Sequence, residues 1–172
     1  MRKLFLLLLA CAPFSGAQTL EFGGFLGGGA IADSSAGAAG AARIGIEACV
    51  FCSGRLALFG EYAHWAAAEH QTGFGTGRVS RADLAGAGLR IQGQDRLPLF
   101  FDVGIVGGSD SHGNGSGGAI GGVVVGGGIT LHLGDRWYIR PQVRAYALSP
   151  HTLEGLGIHW AVAAGAGFGV RF

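Results

Sequence analysis

The sequence predicts an all-β fold: an eight-stranded antiparallel up-and-down transmembrane β-barrel that follows a cleaved signal peptide. Three observations carry this. From Ile158 to Phe172 every second residue is apolar (Ile158, Trp160, Val162, Ala164, Ala166, Phe168, Val170, Phe172), with small or polar residues between them. That is period two over a segment too long for an ordinary soluble strand of about 5–6 residues. It matches the roughly 9–11 residues that a tilted strand needs to cross a bilayer. Seven further alternating segments precede it, and the connections between them alternate between short and long, as they do in membrane barrels of even strand number.

In chain order, the first segment is about Thr19–Gly28, with Leu20, Phe22 and Leu26 opposite Glu21, Gly23 and Phe25. The second, about Ala39–Cys49, sets Ile44 and Ile46 against Arg43 and Glu47. The third, about Arg55–Ala66, sets Leu56, Leu58 and Tyr62 against Phe59 and Glu61. The fourth, about Arg78–Ile91, has the weakest alternation, since Leu84 and Ala87 can share a face only across a bulge. The fifth, about Leu97–Gly107, alternates Leu99, Phe101, Val103 and Ile105 with Phe100 and Asp102. The sixth, about Ala119–Leu133, sets Val123, Val125, Ile129 and Leu131 against Val124, Thr130 and His132. The seventh, about Trp137–Ala147, alternates Trp137, Ile139, Val143 and Ala145 with Tyr138, Arg140, Gln142, Arg144 and Tyr146. Pro141 interrupts it, and a proline inside a paired strand predicts a local bulge.

The chain begins with a basic Met1-Arg2-Lys3, an apolar stretch from Leu4 to Ala12, and Ser15 and Ala17 placed as for signal-peptidase cleavage. Residues 1–17 are therefore expected to be a secretory signal peptide, leaving 18–172 as one barrel domain. A lipoprotein-type cleavage before Cys11 is the competing reading, disfavoured by the short apolar run ahead of it. The 35 glycines lie within alternating apolar segments and the mean hydropathy is +0.40, which excludes low-complexity disorder. Without Arg2 and Lys3 the chain holds ten basic and eleven acidic residues. No basic arm suits nucleic acid, and no run of about 18 apolar residues follows the leader to form a spanning helix.

If the apolar faces point to lipid, the opposite faces fill the lumen. Their charged members are four acids, Glu21, Glu47, Glu61 and Asp102, and four arginines, Arg43, Arg90, Arg140 and Arg144. An eight-stranded interior is just wide enough for side chains, and unpaired buried charge is costly, so the set is expected to pair within the lumen. Tyr62, Trp137 and Trp160 are expected as interfacial aromatics at the two edges of the apolar band.

On the signal peptide, the eight strands, the Arg140-Pro141-Gln142-Val143-Arg144 strand and the closing Gly167-Phe168-Gly169-Val170-Arg171-Phe172, the chain resembles the small bacterial outer-membrane β-barrels, the class that includes the membrane domain of outer membrane protein A. The resemblance covers nearly all of the mature chain. It implies residence in outer-membrane lipid, and insertion by the barrel-assembly machinery through an assembly signal formed by Phe168, Val170 and Phe172. It does not choose among anchors, adhesins, pores and lipid-modifying enzymes, because a fold does not fix a function.

Few residues point to chemistry. Cys49 and Cys52 flank the first short turn. In an oxidising compartment they can form a turn-stapling disulfide or stand as free thiols, and the thioredoxin-like context of a redox pair is absent. His64, His70, His112, His132, His151 and His159 lack zinc-ligand spacing, and no metal or other cofactor is expected. His64 lies on the apolar face near the long-loop edge without a serine partner, so no catalytic set is assigned. The glycine-rich 113–118 lacks the Lys-Ser/Thr of a phosphate loop. A non-enzymatic membrane barrel with four longer external loops is the leading reading. The alternatives are a small-solute or ion pore, a soluble ligand-binding barrel with reversed faces, and a lipid-modifying barrel enzyme.

Overall fold

A computed structural model describes residues 19–33, 37–67, 79–93, 98–112, 117–150 and 158–172. Nine strand segments are present: β1 (Leu20–Asp33), β2 (Gly37–Val50), β3 (Leu56–Ala67), β4 (Val79–Gln92), β5 (Leu99–His112), β6 (Gly117–Ile129), β7 (Leu131–Leu133), β8 (Trp137–Pro150) and β9 (Ile158–Arg171). β6 and β7 are two parts of one stave, both paired with β8, so the staves number eight. Each stave runs antiparallel to its neighbours, and β1 pairs with β9 to close the ring. No helix occurs among the described residues.

The register fixes the tilt. A row of paired residues that leaves β9 at Trp160 passes Ala147, Val123, Ile105, Ala87, Gly60, Ala48 and Phe22, and returns to β9 at Val170. Ten residues along the strand separate departure from return. Eight strands about 4.8 Å apart with that offset tilt by about 40° from the barrel axis. Along the axis each residue then rises roughly 2.5 Å.

The side chains divide as the alternation predicts. Outward stand Phe22, Leu26, Ile44, Ile46, Leu56, Leu58, Phe101, Ile105, Val123, Val143 and Phe168, each between 48% and 71% exposed. Inward are the buried Glu21, Arg43, Glu47, Glu61, Arg90, Asp102, Arg140 and Arg144. A soluble barrel would show the opposite arrangement.

The short-turn end is built locally. Gly134, with φ of 75°, turns the chain between β7 and β8, a left-handed conformation that glycine takes without steric cost. Phe51, with φ of 63°, does the same after β2 at the cost a side chain brings. Cys49 and Cys52 are joined across that turn, Cα to Cα 6.0 Å, and are buried beside Ala57.

Several details correct the sequence expectations. Strands extend further toward the long-loop end than the alternation suggested: β1 runs on to Asp33, β5 to His112 and β8 to Pro150. Leu84 and Ala87 do not share a face. Leu84 is buried in the lumen, Ala87 is exposed, and the register of β4 slips only between Val79 and Arg81. Pro141 causes no bulge either. The β8–β9 register runs through it unbroken, and on the other side the pairing lapses between Gly128 and Leu131 and resumes in the same register. The ladder thus loses hydrogen bonds opposite the missing N–H without shifting. Ile158 leaves the apolar outer face. The β1–β9 pairing steps from Trp160 to Ile158, so His159 bulges out and Ile158 points inward, 1% exposed. Residues 1–17, His70, His151 and the 113–116 loop lie outside the described residues, as does the side chain of His112.

Candidate functional site

The lumen has two tiers. The tier nearer the short turns is ionic. Arg90 and Asp102, direct cross-strand partners, form a two-pronged pair, Nε–Oδ1 and Nη2–Oδ2 both 2.8 Å. Asp102 also accepts Nη2 of Arg144 at 2.8 Å, and the same nitrogen reaches Glu47 Oε2 at 3.2 Å. Arg144 Nη1 lies 3.2 Å from Glu61, whose other bonds come from Arg43 (2.9 Å) and the Tyr146 hydroxyl (2.7 Å). Arg140 donates to both Glu47 and Glu21, and its Nε donates to Thr130 at 3.0 Å. Glu21 further accepts Nε and Nη2 of Arg171.

These contacts link all eight charges singled out in the sequence into one network drawn from six staves. Arginine suits the task because its planar fork serves two carboxylates at once. Aromatic faces cover the guanidinium planes: Arg43 over Phe25 at 4.2 Å, Arg140 over Tyr138 at 4.4 Å and Arg90 over Phe100 at 4.5 Å. Glycine supplies the room. A Cβ on Gly169 would stand 2.3 Å from the Tyr138 hydroxyl, and one on Gly165 would stand 2.8 Å from the Phe25 ring.

The tier nearer the long loops is apolar. Ile31, Trp65, Leu84, Val106, Ile120, Val124, Leu148 and Ile158 pack there with small alanines into one buried cluster. Trp65 meets Tyr146 edge to face at 5.7 Å, where the tiers touch. The sequence reading missed this tier, because each strand brings only one or two large inward apolar residues. It also missed Arg171, Thr130 and Gln142 as parts of the network, although they share the strand parity of its members. Cys49, Cys52 and Glu21 converge at the short-turn end, but the joined sulfurs offer no thiolate and Glu21 is held by two arginines.

On the outer wall, Trp137 stacks on Phe168 with centroids 5.3 Å apart, at the short-turn edge. Trp160 and Phe172 are exposed, while Val170 is partly covered. The Phe172 N–H bonds to the Leu20 carbonyl at 2.8 Å, tying the end of the chain to the start of β1. Tyr62 also faces outward, but its hydroxyl donates to Asp83 Oδ1 at 2.5 Å. The same oxygen lies 2.9 Å from His64 Nδ1. His64 thus has a partner the sequence reading did not see: Asp83, directly across the β3–β4 pair.

No family model and no curated protein matches the chain. Solved structures do resemble it. The crystal structure of Neisserial surface protein A superposes with a TM-score of 0.55 at 14% identity, over 90% of this chain and 96% of that one. The outer membrane protein OprG from Pseudomonas aeruginosa superposes with 0.53 at 12% identity, over 91% and 96%. The chain has the fold of the small eight-stranded outer-membrane barrels. At such identities the likeness concerns the fold.

Proposed function

We infer that this chain is an integral outer-membrane β-barrel whose role is structural or surface contact, with a lumen that is plugged rather than open. The observation that carries this reading is the inversion of polarity: apolar side chains are exposed around the ring while the charges are buried inside it. In water that wall would be an apolar patch far larger than soluble monomers tolerate. In lipid it costs nothing, and the closed ladder leaves no unpaired edge. Two stacked tiers of packed side chains fill the interior, which disfavours the pore reading. The reading includes export through residues 1–17, insertion by the barrel-assembly machinery through Phe168, Val170 and Phe172, and presentation of the long loops outside.

The test is gel mobility of the membrane fraction in SDS with and without boiling. A shift on boiling, with the protein in the outer-membrane fraction, is the expected result. A protein found soluble in the periplasm without such a shift would overturn the reading in favour of a ligand-binding barrel. Planar-bilayer recording checks the plug: steady conductance from the purified barrel would replace the structural role with a pore.

A further inference from the structure

Among the described residues, the outer wall carries charge at one place. Counted from the short-turn end, the outward residues of β3 are Leu56, Leu58, Gly60, Tyr62, His64 and Ala66, and those of β4 are Ile91, Leu89, Ala87, Ala85, Asp83 and Arg81. His64 and Asp83 each stand eight residues above the lowest, about 20 Å up a band about 25 Å tall. Among the described outward strand residues, Asp83 and Arg81 are the ones that carry a charged carboxylate or guanidinium. An ionisable group at membrane depth points to function. Here it belongs to a built cluster, since Asp83 Oδ1 takes both the Tyr62 hydroxyl and the His64 ring nitrogen.

Two members of the cluster, Tyr62 and His64, line one end of a shallow, open groove in the wall, and Asp83 stands just beyond that end, against His64. The groove, about 770 Å³, is lined by Gly24, Leu26, Ile44, Ile46, Tyr62, His64 and Phe168, among others. It is concave because Gly24 presents no side chain between Ile46 and Phe168, its partners on either side. It runs across the strands from His64 down toward Phe168, four residues before the last one. One end is therefore polar and near the upper edge of the band, and the remainder is apolar and deeper. That is the polarity of a single hydrocarbon chain with a head.

Resting on the membrane reading above, we propose that this groove binds a membrane amphiphile with one alkyl chain and a hydrogen-bond-donating, cationic head, its chain over Gly24 and its head at Asp83 and His64. The carboxylate gives the sign of the head. The acceptors beyond Oδ1 are Asp83 Oδ2 and His64 Nε2, and an ammonium donates to both while satisfying the charge. Arg81 stands one outward position nearer the rim, where it would draw an anionic head away from the groove.

The test uses the refolded, heat-modifiable barrel in phosphatidylcholine nanodiscs, titrated with dodecylamine and, separately, with dodecanoic acid. The Gly24 amide and the His64 ring are followed by NMR. The expected result is saturable shifts at both, with an apparent affinity for the amine about tenfold or more above that for the acid, as one charge-assisted hydrogen bond would give. Gly24→Leu should abolish the shift at the His64 ring. A side chain fits there, because the nearest atom to an added Cβ is 3.7 Å away, so the barrel should keep its heat shift. Asp83→Asn should bring the two probes to equal affinity. Equal response to both probes in the natural sequence, or a His64 response that survives Gly24→Leu, overturns the proposal while leaving the membrane barrel standing. A chain that forms no heat-modifiable barrel in lipid overturns the membrane reading and this site with it.

Discussion

The two tiers of the lumen fill the same kind of space by opposite means. The upper tier of Ile31, Trp65, Leu84, Ile120 and Ile158 is non-directional. Its favourable energy comes from burial and close packing, and a side chain of similar volume would serve nearly as well. The lower tier is directional. Each guanidinium reaches named oxygens on other staves, and its worth depends on every partner being present. Replacing such a network with apolar side chains is often neutral for stability, so what sets the ionic tier apart is that its contacts hold only when particular strands meet. A slip of one residue would swing a strand's arginine or carboxylate out onto the apolar outer wall. The difference teaches that one tier depends on volume and the other on register; if the second indexes the strands, it will show in how each tier tolerates substitution.

That contrast can be broken from either side. Arg144→Leu should have the largest effect. It removes a cation that faces Glu47, Glu61 and Asp102 together, at a cost of order 3–5 kcal/mol, read as a lower urea midpoint for the lipid-embedded barrel. An unchanged midpoint would mean that the lower tier is wet and does not index. Leu84→Ala, in the upper tier, should cost about 3 kcal/mol by opening a cavity, and Leu84→Met should cost far less, because packing tolerates a volume match. Equal losses from both would show the upper tier to be as specific as the lower. Cys52→Ser should cost about 2 kcal/mol, since the closed loop is short, and a reducing agent should lower the natural protein's midpoint by the same amount. Arg171→Ala should cost the least, about 1 kcal/mol. Arg171 is a quarter exposed at the mouth, and Glu21 keeps Arg140 without it. A loss as large as that of Arg144→Leu would extend the dry network to the very end of the barrel.

Much of this was readable from the sequence, because a strand's period is two and a charge among apolar residues marks its face. Glu21, Arg43 and Arg144 are inward by parity alone. The pairing of the charges was not readable. Arg140 meets Glu21 across 119 residues, a distance that closes only when the ring does. Residues at irregularities were misplaced for local reasons. Ile158 lies beyond a bulge that inverts parity, and Pro141 breaks a ladder without shifting it. The long-loop ends of β1, β5 and β8 were cut short because glycine, serine and aspartate there look like loop residues, although the neighbouring strand holds them in the ladder. Asp83 was missed as the partner of His64 because the contact depends on register across a connection of uncertain length.

Glu21 sits in the first stave, and its two cations, Arg140 and Arg171, come from the last two. Until those two staves join the sheet, Glu21 has neither of these partners, and the seam between β1 and β9 cannot be sewn. Contacts so far apart in sequence make folding slow. They also make it punctual: a half-made ring gains little by closing early, and the last strand delivers the seam and the counter-charge in the same moment.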